Sequence, residues 1–288
     1  SAEVRAGALR TLQELNYDQM DEVVFTALKD RDQNVRTTAL RMLPEMGFPI
    51  DQMVAMHEVL LDTGSVSEQQ EAIMSLANIQ APQAHEVLAE LMGRLQADQV
   101  APEVQLEIVT AARATGAPEL VALVDAYEAS KDPNNPLEMY REALKGGDAN
   151  EGRNLFRYNN SAQCIRCHMV GHRGSEVGPN LTNIGNLLPR ETLLEAMVAP
   201  NARIAPGFGR ITVTLKDGSE VEGFFESETP TTKTLLPSEG EPTTIRKADI
   251  VSVHARASGM PPMGYLLDHK QLRDLVEYMT ILTGDGDL

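Results

Sequence analysis

The sequence predicts a mainly α-helical chain in two parts: a helical repeat array, then a smaller helical domain carrying a compact β insert. Three observations predict it. Through residues 1–128 apolar residues recur at helical spacing, and the pattern itself repeats about every 31 to 36 residues. Between about 208 and 256 the pattern switches to strand-like alternation broken by turn dipeptides. Cys164 and Cys167, the only cysteines, stand just before His168 in a polar run between helical segments.

The repeat is visible by eye. Val4-Arg5-Ala6-Gly7-Ala8-Leu9-Arg10-Thr11-Leu12 is echoed by Val35-Arg36-Thr37-Thr38-Ala39-Leu40-Arg41-Met42-Leu43, and more weakly by Glu71-Ala72-Ile73-Met74-Ser75-Leu76 and Glu107-Ile108-Val109-Thr110-Ala111-Ala112. Ala81-Pro82 and Ala117-Pro118 fall at matching places after the last two. A helical hairpin of this length cannot bury its apolar side alone, so each is expected to stack on its neighbours as a solenoid. The Leu/Met/Ala stripe is then core. The Asp30-Arg31-Asp32 turn before Asn34-Val35-Arg36 resembles HEAT repeats. The first repeat lacks a leading helix and a polar cap, which is read as the mark of a fragment of a longer chain.

Residues 129–148 read as a linker, from Ala129-Ser130-Lys131-Asp132-Pro133-Asn134-Asn135-Pro136 through a short helix at 137–144 to Gly146-Gly147-Asp148. The second domain spans 149–288. It opens with a short helix around Gly152-Arg153-Asn154-Leu155-Phe156, has a helix at 191–199, and closes with a helix at 270–282 that puts Leu272, Leu275, Val276 and Met279 on one side. Gly152 and Phe156 are expected to let the first and last helices cross closely near Tyr278. The insert reads as five short strands: 211–215, 221–225, 233–236, 243–246 and 250–254. Asp217-Gly218, Ser238-Glu239-Gly240 and Lys247-Ala248-Asp249 are the turns, and a small open barrel or curled sheet results.

Cys164-Ile165-Arg166-Cys167-His168 carries the chemistry. A C-x-x-C-H run places two thiols on one turn, where they can form thioethers with the vinyl groups of a haem, and sets the histidine against the iron. Three other readings compete. A thioredoxin-like redox pair needs a strand before it and a helix opening at the first cysteine, whereas Arg157-Tyr158-Asn159-Asn160-Ser161-Ala162-Gln163 is polar and turn-like. Zinc needs a fourth ligand, and no second Cys/His pair exists. A disulfide leaves His168 unexplained. One covalent haem c is therefore the expected cofactor. The Pro179 carbonyl, in Gly178-Pro179-Asn180-Leu181, is placed to accept the Nδ1 proton of His168 and so orient the ring.

The order of first helix, haem motif, Gly-Pro-x-Leu, methionine and last helix resembles class I cytochromes c. More narrowly, it resembles the haem-binding domain of planctomycete and verrucomicrobial proteins. The likeness rests on Gly152 to Phe156, Cys164 to His168, Gly178 to Leu181, Ala205-Pro206-Gly207-Phe208 and Ser258-Gly259-Met260-Pro261-Pro262, and covers about residues 147–288. It implies His168 and a methionine as iron ligands. Met260, which precedes a proline and begins a run to Leu267-Asp268, is the first candidate. Met263 is the second, standing where that family places a packing residue. His254, His172 or an open site remain. Met169 directly follows His168 and faces the wrong way. A thioether ligand raises the reduction potential and blocks small ligands, whereas His254 would lower the potential. His57 and His85 read as ordinary helix residues, and His269 as a surface residue beside Asp268. With no tryptophan, Arg203, Arg210, Tyr265, Asn180 and Asn183 are candidates for the haem propionates.

The 288 residues suit two or three domains. A formal charge of −17 disfavours nucleic acid and fits a partner with a basic patch. No Ser-His-Asp order, phosphate loop or H-E-x-x-H run is present. The expected function is one-electron transfer by a monohaem cytochrome, as the electron-accepting module of a larger periplasmic or otherwise extracytoplasmic redox protein. Its partner would be an upstream dehydrogenase domain or a separate redox protein. An exposed haem edge or open solenoid end allows a homodimer, and no apolar run is long enough to span a bilayer. Two alternatives are a haem enzyme or gas sensor with a displaceable sixth ligand, and a HEAT-type interaction module. The β insert reads equally as a lid or docking surface and as a shield for the haem.

Overall fold

A computed structural model of the chain describes residues 1–205, 208–237 and 241–284. It is mainly helical with one small antiparallel sheet. Contacts divide it into two compact units, Ser1–Pro133 and Asn134–Leu288. The expected turn at Ser238-Glu239-Gly240, and Pro206-Gly207 of the motif before the sheet, lie outside the described residues.

The first unit holds α1 (Ala2–Glu14), α2 (Met20–Ala27), α3 (Gln33–Met42), α4 (Ile50–Thr63), α5 (Val66–Leu76), α6 (Pro82–Gln96), α7 (Gln105–Ala114) and α8 (Pro118–Ala129). Helices α1, α3, α5 and α7 pack on one another in chain order, and α4, α6 and α8 do likewise. The four related sequence segments fall on α1, α3, α5 and α7, so the repeat is one helix layer seen in sequence. Pro82 and Pro118 each open a helix, where the missing N–H costs nothing. Asp32 caps α3 by accepting from the Asn34 N–H at 3.0 Å.

Val24, Leu40, Ile73, Leu88, Met92, Ile108 and Leu120 are buried between the layers. Polar ties run between successive helices of the first layer and to the 3-10 turn (Pro102–Val104) that leads into α7. Arg36 Nε donates to Glu68 Oε1 at 2.5 Å, Arg41 Nε to Glu71 Oε1 at 2.9 Å, and Gln70 Nε2 to the Glu103 carbonyl at 2.7 Å. His57, expected as an ordinary helix residue, lies in α4 and is fully buried. Its Nδ1 lies 2.6 Å from the Met53 carbonyl and its Nε2 lies 2.9 Å from Ser75 Oγ, joining α4 to α5.

The second unit begins within the stretch read as a linker. Residues 129–133 close the first unit, but a 3-10 turn at Glu138–Ala143 packs against the last helix and buries Ala143. The difference is physical: Leu137, Tyr140, Ala143 and Leu144 form an apolar face, so the segment joins a core. Then follow α9 (Ala149–Tyr158), α10 (Ile184–Leu187) and α11 (Arg190–Val198). The strands are β1 (Gly209–Leu215), β2 (Glu220–Glu228), β3 (Thr232–Leu236), β4 (Thr243–Arg246) and β5 (Ile250–Ser258), and α12 is His269–Thr280.

Helices α9 and α12 cross in close contact. A Cβ on Gly152 would sit 2.0 Å from the Asp274 carbonyl oxygen and 2.7 Å from Tyr278 Cβ, so only glycine fits. The rings of Phe156 and Tyr278 meet below that crossing, 5.7 Å apart. Arg190 clamps α11 to α12 through two bonds to Glu277, 2.7 and 2.9 Å long.

The sheet order is β4-β3-β2-β1-β5, all antiparallel. Only Lys247–Asp249 separates β4 from β5, although these are the two edge strands. A flat five-stranded sheet would part its edges by about 19 Å, beyond the roughly 14 Å such a connection spans. The sheet must therefore curl, and Val213, Leu235 and Ile245 fill the inside.

Candidate functional site

The Cys164 run leaves α9 through a tight turn. Asn159 Oδ1 accepts from the N–H groups of Ser161 and Ala162, and Gln163 takes the left-handed conformation at φ 49°. Cys164–Arg166 then forms a 3-10 turn closed by the Cys167 and His168 N–H groups on the Cys164 carbonyl, at 3.1 and 2.9 Å. Both cysteines are free thiols, Cys164 half-buried and Cys167 exposed. Burial pushes the Cys164 thiol up to about 11. A nucleophilic cysteine of a redox pair needs the opposite shift.

His168 is held from several sides. Its Nδ1 lies 2.9 Å from the Pro179 carbonyl, so the neutral ring donates there and turns the lone pair of Nε2 outward. Burial lowers its pKa, and the bond to Pro179 opposes that shift in part. The Gly178 N–H donates to the Cys167 carbonyl at 2.6 Å. A Cβ on Gly178 would stand 2.8 Å from the imidazole Cε1, so this glycine lets the loop lie flat on the ring. Gly174, at φ 114°, would place a Cβ 2.1 Å from the His168 carbonyl oxygen. The Leu181 N–H bonds the Met169 carbonyl at 2.8 Å, and the Gly171 N–H bonds Thr182 Oγ1 at 2.8 Å. The segments on either side of the ring are thus stitched together. Thr182 was missed in the sequence; its only signal is its place two residues after Asn180, whose side chain caps it.

The two methionine candidates separate. Met263 is 4% exposed, inside the helical core, in the 3-10 turn Met263–Tyr265. Met260 is half-buried and packs against that core from its periphery, as Cys164, Ile165 and Leu181 also do. Met169 gives its carbonyl to the Leu181 N–H.

His254 is exposed on β5, its Nε2 3.0 Å from Ser252 Oγ, and His172 is exposed in the loop after Gly171. His269 opens α12 with Nε2 2.8 Å from the Met139 carbonyl. Of the propionate candidates, Arg203 and Tyr265 are exposed. Arg210 lies over the Phe224 ring at 5.6 Å. Asn180 and Asn183 use their carbonyl oxygens inside the loop, on Thr182 and Asn186.

Among the described residues no three His, Cys, Asp or Glu side chains converge to hold a metal ion. A covalent haem needs no such convergence, because the thiols would meet the porphyrin edge and the iron would take one imidazole and a thioether, which is outside that set of side chains. The residues present fit such a group. The thiols are free, the imidazole is oriented through Pro179 with burial lowering its pKa, and Gly178 clears the ring's flank. No helix among the described residues is long and apolar enough to cross a membrane. No family model matches the chain, and a search of curated proteins gives no significant match.

Proposed function

We propose that this chain is a monohaem c-type cytochrome that transfers single electrons. Cys164 and Cys167 would hold the haem, and His168 and Met260 would ligate its iron. The observation that carries the reading is the His168–Pro179 bond, which fixes an imidazole on the turn that presents both thiols. When bound, the haem supplies a one-electron ferric/ferrous couple. The chain holds that couple in a fixed setting. The Pro179 carbonyl keeps the imidazole in one tautomer and strengthens it as a donor. Gly178 lets the backbone close on the ring, Gly174 lets it close on the His168 carbonyl, and the close α9–α12 crossing supports the turn. Ligands that stay in place through both oxidation states make exchange fast.

The first unit is a HEAT-like solenoid in this reading, a docking or spacing arm for the redox domain. The whole is the electron-accepting module of a larger extracytoplasmic redox protein. The net charge of −17 favours a donor or acceptor with a basic surface.

The test is expression of the full chain alongside a haem c maturation apparatus. A pyridine haemochrome spectrum and an intact mass with one haem added, both lost in Cys164→Ala/Cys167→Ala, are the expected results. A colourless chain of unmodified mass refutes the proposal. If the reduced parent binds carbon monoxide readily, the enzyme or sensor reading replaces the electron carrier.

A further inference from the structure

The sheet is inserted between α11 and Met260, so a long segment intervenes before the strap that carries the proposed sixth ligand. Left slack, such a segment would position Met260 poorly, because the entropic cost of closing a loop grows with its length. The structure closes the loop at its base. Gly209, the first residue of β1, pairs with Ser258, the last of β5. The Ser258 N–H donates to Asn201 Oδ1 at 2.7 Å, tying the end of the sheet to the turn that follows α11. The Met260 N–H then donates to Ser258 Oγ at 3.1 Å. Between them, Gly259 lies against the Phe224 ring of β2, where a Cβ would meet Cε1 at 2.9 Å. The Arg210 guanidinium covers that ring from β1. The residues that enter and leave the insert are therefore fastened together within two positions of Met260.

We infer that the β insert is a brace for the Met260 strap, with Asn201 and Phe224 as positioning residues that hold the thioether on the iron. The inference rests on the proposed ligation. It assigns the sheet a mechanical role that neither a lid nor a docking surface requires.

The test uses the full-length holoprotein, with added imidazole as the competing ligand. Asn201→Ala removes one exposed acceptor, and Phe224→Ala removes the ring under Gly259. Each is expected to raise the affinity of the ferric protein for imidazole roughly three- to tenfold, the range for losing one hydrogen bond or contact of that size. The far-red ferric band of iron–thioether ligation weakens at a lower imidazole concentration, while the haem stays covalently attached. Asn201→Asp, whose carboxylate still accepts from Ser258, restores the parent affinity. Leu235→Ala, which opens the sheet core shared with Val213 and Ile245, separates loss of stability from loss of positioning: it lowers the melting temperature with a smaller change in imidazole affinity. Folded Asn201→Ala and Phe224→Ala proteins with the parent's affinity overturn the brace while leaving the ligation intact. A parent without the band, or a band that survives in Met260→Ala, overturns the ligation and the brace with it.

Discussion

Gly152→Ala tests the crossing on which the Cys164–His168 turn is mounted. The added methyl carbon would lie 2.0 Å from the Asp274 oxygen and 2.6 Å from its carbonyl carbon. Carbon and oxygen settle at about 3.3 Å, so the two helices must part by roughly 1.3 Å. The obstacle is backbone, which cannot rotate aside as a side chain does. Parting the helices loosens Phe156, 3% exposed, from Tyr278, 0% exposed, and unseats Leu272, Leu275 and Val276. Overpacking costs ~1–3 kcal/mol, and a backbone clash belongs at the upper end. For a unit of this size that lowers the melting temperature by about 6–12 °C. Gly93→Ala is the internal control. Gly93 lies in α6 with nothing within 4 Å of the new Cβ, so there alanine adds about 0.5–1 kcal/mol of stability through helix propensity. Thermal unfolding of the full chain, followed by far-UV circular dichroism, separates the two. A Gly152→Ala protein that melts within about 1 °C of the parent refutes the close-crossing argument.

Met263→Ala is expected to cost about 2–5 kcal/mol by leaving a core cavity, with the ferric spectrum unchanged; Met260→Ala should abolish the far-red band with a smaller loss of stability. Chemical denaturation and absorbance on the same samples check both. Burial lowers the pKa of His57, so the unfolded chain binds the proton more readily than the folded one. Its contribution is complete above the unfolded value of about 6.5 and is lost as pH falls below it, at up to about 1.4 kcal/mol per pH unit. His57→Gln should flatten that part of a stability–pH curve. Arg36 and Ser65 hold the Glu68 carboxyl down at about 2, so that group's support is present above the unfolded carboxylate range and is lost as pH falls towards 2. Arg36→Met should therefore weaken the first unit most at neutral pH and least in strong acid, as read by urea titrations at several pH values.

Much of this molecule was legible along the chain, for local reasons. The repeat showed because residues buried at equivalent places in stacked helices must be small or apolar in the same order, as in Val35, Ala39 and Leu40. The five strands showed because alternation and turn residues such as Gly218, at φ 84°, are written within a few positions. Gly152 and Phe156 announced a close helix crossing because only the smallest residue permits one. The turn at Cys164 and the acceptor at Pro179 lie eleven residues apart from His168 at most, within reach of spacing arguments.

What needed the tertiary structure was every choice between chemically similar residues at a distance. Met260 and Met263 are both methionines beside prolines, and only the packing of the 3-10 turn sends Met263 into the core. His57 looked like any helix residue until Ser75, on the next helix, closed around it. The 137–144 segment read as a linker because its composition is mixed; its apolar face became core only when α12 arrived to cover it. Asn201 and Ser258 stand 57 positions apart, and no local pattern couples an exposed amide to a backbone N–H at that range. Sequence determines what each short segment prefers. Which segments meet, and hence how deeply each of several equivalent side chains is buried, is settled by burying their apolar faces together.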